Sequence, residues 1–212
     1  MHLAEEQFLP EVQRFRRWVA TIPTERQLAE WECNYSEWAD VYKASTDFLA
    51  VVDVKELTEA TLNELLFIIA ADNECQIIAG EIAKYPEALL YMAQAALRSS
   101  YANAKWQLAI ELGNLAVYQR EAERILYALA KDEDEYTRRR ALGALAEAGS
   151  SLVNELIEPA WLSNHQYQRM MVLSALHKIA SPELERYLAL AETDGREYLV
   201  AWASHIRRGQ TY

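Results

Sequence analysis

The chain has 212 residues, 51% hydrophobic and 25% charged, with only six glycines and five prolines; this is length enough for a substantial core, and too little turn chemistry for a protein of β-hairpins. Its formal net charge of −11 repels phosphate backbones and anionic lipid heads, so nucleic acid and membrane surfaces are excluded as expected partners and a basic protein is favoured. Cys33 and Cys75 stand far apart outside any CxxC spacing, which argues against a disulfide framework or a zinc site.

Taken in order, the N-terminal MHLAEEQF lacks the basic and apolar regions of a signal peptide, and a cytoplasmic location is expected. Helices are predicted over about 3–20, 24–34, 36–50 and 58–71, with Thr24 and Gln27 spaced as a capping box. The longest apolar run, LLFIIAA at 65–71, is too short for a membrane span. Leu62, Leu65, Leu66 and Ile69 form a stripe able to dock on the first clear repeat. Residues 1–72 thus read as a helical N-terminal cap region, with Trp18, Trp31 and Trp38 as core candidates.

From residue 73 a period of about thirty residues sets in. Tyr136, Tyr167 and Tyr198 each open an apolar helix pattern and lie 31 residues apart in the sequence. A column of Ile82, Leu112, Leu145, Leu176 and Ile206 follows them at nearly the same spacing. Each pattern is followed by a second one: PEALLYMAQAAL (86–97), REAERILYALA (120–130), LVNELIEPAWL (152–162) and PELERYLALA (182–191). Counting ten back from the tyrosines reaches Leu126, Ile157 and Leu188. Gly149 is placed as a helix C-terminal stop, and Ser181-Pro182-Glu183 as a start. A helix pair of this size buries both faces only by stacking on its neighbours. The expected fold is all-α, one continuous domain with repeats at approximately 73–102, 103–135, 136–166, 167–197 and a partial 198–212.

Asp134…Arg138-x-x-Ala141-x-x-Ala144-Leu145…Gly149 resembles a HEAT repeat of the short kind found in phycobilin lyase-like proteins. Arg169-x-x-Val172-x-x-Ala175-Leu176 repeats the pattern, Lys105-x-x-Leu108 is a weaker copy, and Val200 to Ile206 has lost the arginine. The resemblance implies a right-handed α-solenoid, an ARM/HEAT-like superhelix of stacked helical hairpins whose second helices line the concave side. It further implies that the acidic turn starts the helix and that Arg138 and Arg169 brace neighbouring repeats. On that reading Asp134 and Arg138 are structural, while Asp132, Glu133, Arg139 and Arg140 exceed what the repeat requires.

Chemistry is harder to find. His2, His165, His177 and His205 have no i, i+4 partner, and no phosphate-binding glycine loop or nucleophile elbow occurs. Neither catalytic residues nor a metal nor a cofactor is expected, and the chain reads as non-enzymatic. Some HEAT-like solenoids resemble base-excision DNA glycosylases, but these need a basic groove; here Glu121, Glu123, Glu155, Glu158, Glu183 and Glu185 make the second helices acidic.

The expected partner-binding set is therefore Asp132, Glu133, Asp134, Glu135, Glu155, Glu158, Trp161, His165 and Asp194. Trp161 is either an exposed anchor or a gap filler beside Pro159. Most other aromatics of the repeats, the tyrosines included, are assigned to packing. The functional expectation is a protein-binding solenoid, specifically a bacterial immunity or inhibitor protein that neutralises a basic toxin such as a nuclease. The alternatives are a subunit of a HEAT-type lyase or other enzyme complex, and a general scaffold or adaptor.

Overall fold

Runs rich in Ala, Leu, Glu and Arg favour helix, and the computed structural model, which describes residues 2–27 and 31–209, is all-α. Helix makes up 74% of it, in twelve α-helices and three short 3-10 helices, with no strand among the described residues. The chain divides into two units, one up to Glu111 and the other from Leu112.

The first unit contains α1 (His2–Val19), α2 (Trp38–Leu49), α3 (Glu59–Ala71), α4 (Ile77–Ala83) and α5 (Pro86–Ala96), and ends within α6 (Ala102–Ala116). α1 lies against α2 and α3, and α4 against α2, α3 and α5. Its centre is aromatic. Phe8 stacks on Phe48 at 4.6 Å, and the fully buried Phe15 has the rings of Trp18, Tyr35, Trp38 and Phe67 at 5.6, 5.0, 4.9 and 5.8 Å. Such ring pairs add roughly 0.5–1.5 kcal/mol each beyond burial. The stripe on α3 is buried at Leu65, Leu66 and Ile69, between α1, α4 and α5.

The helix expected over 24–34 does not form. Thr24–Arg26 and Trp31–Asn34 are 3-10 turns, and residues 28–30 lie outside the described residues. The capping box is absent too: Pro23 occupies the N-cap, and the Gln27 amide donates instead to the Ile22 carbonyl at 2.9 Å. Stacking of Trp31 on Trp18 at 5.5 Å shows tertiary packing overriding a weak local preference. A second feature escaped the sequence pattern. Asp72, 2% exposed, accepts from the Tyr42 hydroxyl and the Ile78 N–H, both at 2.9 Å. Burial holds its carboxyl above the ordinary value even so.

The second unit begins within α6 and continues through α7 (Arg120–Leu129), α8 (Glu135–Glu147), α9 (Val153–Leu162), α10 (Gln166–Lys178), α11 (Leu184–Glu192) and α12 (Glu197–Arg207). α8, α10 and α12 pack in succession; α7 lies on α8, α9 on α8 and α10, and α11 on α10 and α12. Leu112, Leu145, Leu176 and Ile206 are all buried, as are Leu126, Ile157 and Leu188. Both apolar columns are therefore core.

The helix ends repeat as well. After α8, Gly149 at φ 67° carries a Schellman turn, with Ser150 N–H on the Leu145 carbonyl and Gly149 N–H on Ala146, each at 3.0 Å. After α10 the same turn recurs around Ala180 at φ 50°, with Ser181 N–H on Leu176 at 2.9 Å and Ala180 N–H on His177 at 3.1 Å. Alanine is strained there, because its Cβ crowds the following carbonyl in the left-handed region. Replacing Ala180 with glycine is expected to raise the free energy of unfolding by about 0.5–1 kcal/mol. Gly149→Ala, whose new Cβ would meet nothing within 4 Å, should lower it by a similar amount through strain alone. Urea unfolding of the two variants measures both.

Candidate functional site

The acidic block before α8 is mostly committed to its own turn. A helix N-terminus presents four N–H groups without intrahelical partners. Asp134 is the N-cap, and its carboxylate accepts from Thr137 N–H at 2.7 Å. Asp132 accepts from Asp134 N–H at 3.0 Å. Arg138 reaches back from the helix to the carbonyls of Asp132 and Glu133, at 2.8 and 2.7 Å, so it braces the turn leading into its own helix rather than a carboxylate of a neighbouring one. Glu135 pairs with Arg139 at 3.1 Å and lies 3.4 Å from His165 Nδ1. Glu133 alone of the four acids is exposed.

Asp194 is likewise drawn inward. Its side chain, 6% exposed, bridges Arg169 and Arg196. Arg196 also donates to the Asn164 carbonyl at 2.7 Å, and Arg169 to the Trp161 carbonyl at 2.9 Å. One carboxylate thus ties α10 to the turns before α10 and α12. Trp161, 7% exposed, packs edge-on against Tyr187 at 5.0 Å with the Arg169 guanidinium 4.8 Å from its ring. Its ring is used for packing among α9, α10 and α11, so Trp161 and Asp194 do not belong to an exposed binding surface.

What remains outside is different. Glu155 and Glu158 on α9 are exposed, as are Glu121 on α7 and Glu185 on α11. These helices are neighbours through their side chains: the Tyr127 hydroxyl donates to Glu155 at 2.7 Å, Ser150 to Glu123, and Trp161 meets Tyr187. Two members of the tyrosine column, assigned to packing from the sequence, turn outward on α10 and α12, while Tyr136 on α8 is half-buried. Tyr167 is 46% and Tyr198 64% exposed, and the Arg139 guanidinium lies 4.6 Å from the Tyr136 ring and 5.2 Å from that of Tyr167. His165, also on the surface, has its ring 6.1 Å from Tyr167. A repeating column can be a ridge as readily as a core, and period alone does not distinguish them. The early helical position of these tyrosines, two residues after the N-cap, was the available signal.

Among the described residues no three His, Cys, Asp or Glu side chains converge to hold a metal, and no helix is long and apolar enough to cross a membrane. Cys33 and Cys75 are both exposed and are not joined in a disulfide.

The Asp194 network has a testable pH signature. Hydrogen bonds from Arg196, reinforced by its charge and by Arg169, lower the carboxyl from its ordinary 3.8 to about 2. A folded-state value below the unfolded one stabilises the protein above the unfolded value, and this contribution is lost as pH falls through the folded one. Asp194→Asn should therefore be less stable than the wild type at neutral pH, with the difference shrinking as pH falls from 3.8 towards 2. Urea unfolding across that window checks it; a constant difference would show that the charge contributes nothing. No protein-family model matches the chain, and no curated protein matches it either.

Proposed function

We propose that this chain is a non-enzymatic protein-binding module, a right-handed α-solenoid of HEAT-like hairpins whose second-helix face receives a basic protein. The observation that supports this most is the fate of the carboxylates. Those before α8 and at Asp194 are largely engaged internally, whereas Glu121, Glu155, Glu158 and Glu185 on α7, α9 and α11 remain exposed. Exposed charge on adjacent helices raises the encounter rate with a lysine- and arginine-rich surface and fixes its register. In its specific form the reading is a bacterial immunity or inhibitor protein that covers the cationic active site of a toxin such as a nuclease. The exposed tyrosines and Arg139 supply residue types that commonly anchor interfaces.

Only some substitutions test this cleanly. Reversing Asp134 or Asp194 would remove a helix cap or a buried ion pair, and lost binding would then report misfolding. Glu155→Lys with Glu158→Lys changes exposed groups. Affinity purification from the native host with wild-type bait should retain a basic protein at low salt and less of it at high salt. The double variant should bind that protein about tenfold more weakly, with the difference narrowing as salt rises. Equal retention by both baits would refute charge-driven binding on α9.

A further inference from the structure

A cavity of about 310 Å³ opens in the second unit between the turn after α7 and helices α8, α9 and α10. Leu142, Leu156 and Pro159 give it apolar walls, and Ala130 and Arg138 line it too. Its rim is open to solvent, since Lys131, Glu155, Pro159 and Ser163 are all exposed.

The next repeat shows what such a space holds. Thirty-one residues on, Ala130 corresponds to Trp161, Arg138 to Arg169 and Leu156 to Tyr187. There the Trp161 indole is 7% exposed, meets the Tyr187 ring edge-on at 5.0 Å and has the Arg169 guanidinium 4.8 Å from its own ring. Both neighbours of the indole are counterparts of residues that line the cavity. Alanine at 130 omits the ring and keeps its surroundings. Native interiors leave few such voids, so the cavity corresponds to a missing aromatic side chain.

Arg138 is still able to receive one. Its Nη1 donates to the Asp132 and Glu133 carbonyls, and bonds of this kind occupy the edge of a guanidinium, not its faces. Arg169 does both at once, donating to the Trp161 carbonyl at 2.9 Å while lying beside the Trp161 ring.

We infer that this cavity takes an aromatic side chain, tryptophan foremost, from the protein that the second-helix face receives. The ring enters past Ala130, lies on Leu142, Leu156 and Pro159, and meets the Arg138 guanidinium as Trp161 meets Arg169. Lys131 and Arg138 make the cavity a poor place for a cation. The partner's lysines or arginines belong beside the anchor instead, where Glu155 and Glu158 are exposed. A desolvated aromatic anchor inside a polar rim is where interfaces concentrate their binding energy, and the volume lies at the small end of ligand sites. The inference rests on the protein-binding reading for its partner, but the cavity is testable without that partner.

The test is an NMR titration of the full chain with acetyl-Ser-Trp-Ser-amide, following the methyl groups of Leu142 and Leu156. Saturable shifts are expected at millimolar peptide, with acetyl-Ser-Ala-Ser-amide and acetyl-Ser-Leu-Ser-amide binding at least about tenfold more weakly. Ala130→Trp should fill the cavity from within and abolish binding, with its urea midpoint unchanged or raised. Should that variant unfold more readily, Ala130→Leu fills less of the space and should weaken binding by about tenfold. The inference fails if the tryptophan peptide gives no saturable shift, if the leucine peptide binds equally, or if a folded Ala130 variant binds as the wild type does. Acetyl-Lys-Trp-Lys-amide separates this inference from the charge reading, because at low salt it should bind about tenfold more tightly than the serine peptide. Loss of that advantage alone sinks the basic partner and leaves the aromatic pocket standing; loss of all binding at the two leucines sinks the pocket alone.

Discussion

The second unit depends on how the turns into its first helices are held. A helix of 13 residues such as α8 or α10 is too short to be stable in water by itself, and its position comes from burying one face on the next hairpin. The turns set the angle at which that face is presented. Arg138 and Arg169 hold them by bonding to main-chain carbonyls, of Asp132 and Glu133 in one case and of Trp161 in the other. A guanidinium has five donors in a fixed fork and remains charged at any physiological pH, so one side chain closes several carbonyls at once and does so independently of pH. With the turns fixed, Leu145 and Leu176 fall into one buried column.

The core was legible in the sequence for a reason the structure makes plain. Apolar residues recurring at the repeat length have to be buried if hairpins stack, and Leu126, Ile157 and Leu188 are. The tyrosines recur just as regularly, yet Tyr167 and Tyr198 face outward, because register fixes a residue's height in its helix while the direction its side chain takes depends on neighbours elsewhere in sequence. The region before residue 73 was less legible. Its order comes from aromatic contacts such as Phe15 with Tyr35 and Trp38 at 5.0 and 4.9 Å, and such contacts have no period to read. Gln27 had the right spacing for a capping box and used its amide elsewhere, on Ile22.

The acids teach a related lesson about charge. A net charge of −11 counts groups, whereas a partner meets only those left in solvent. Asp132 and Asp134 satisfy backbone N–H groups, Glu135 pairs with Arg139, and Asp194 serves two arginines. These carboxylates are held by donors that must be paired in the folded chain, and giving them up to a ligand would expose unsatisfied N–H groups. Glu155, which accepts from the Tyr127 hydroxyl, and Glu158 are exposed on their helix and hold no backbone N–H. The block richest in charge is thus the poorer candidate for recognition, and the sparser helix face is the better one.

In a repeat array, departures from the pattern carry more functional information than agreements, because agreement is already required by stacking. At one helical position the array places Thr137 and then Gln168, 0% and 1% exposed. Threonine's N–H meets Asp134, and the side chain is short enough to leave little to satisfy. Glutamine reaches further and leaves its Oε1 buried without a donor. At another position the array places Ser163 and then Asp194, so that Arg169 is neutralised from within and Arg138 is not. Either change alone would be a small local cost that selection tolerates. Each departure leaves one side chain less fully answered than its counterpart a repeat away, Gln168 Oε1 by its burial and Arg138 by the loss of a carboxylate.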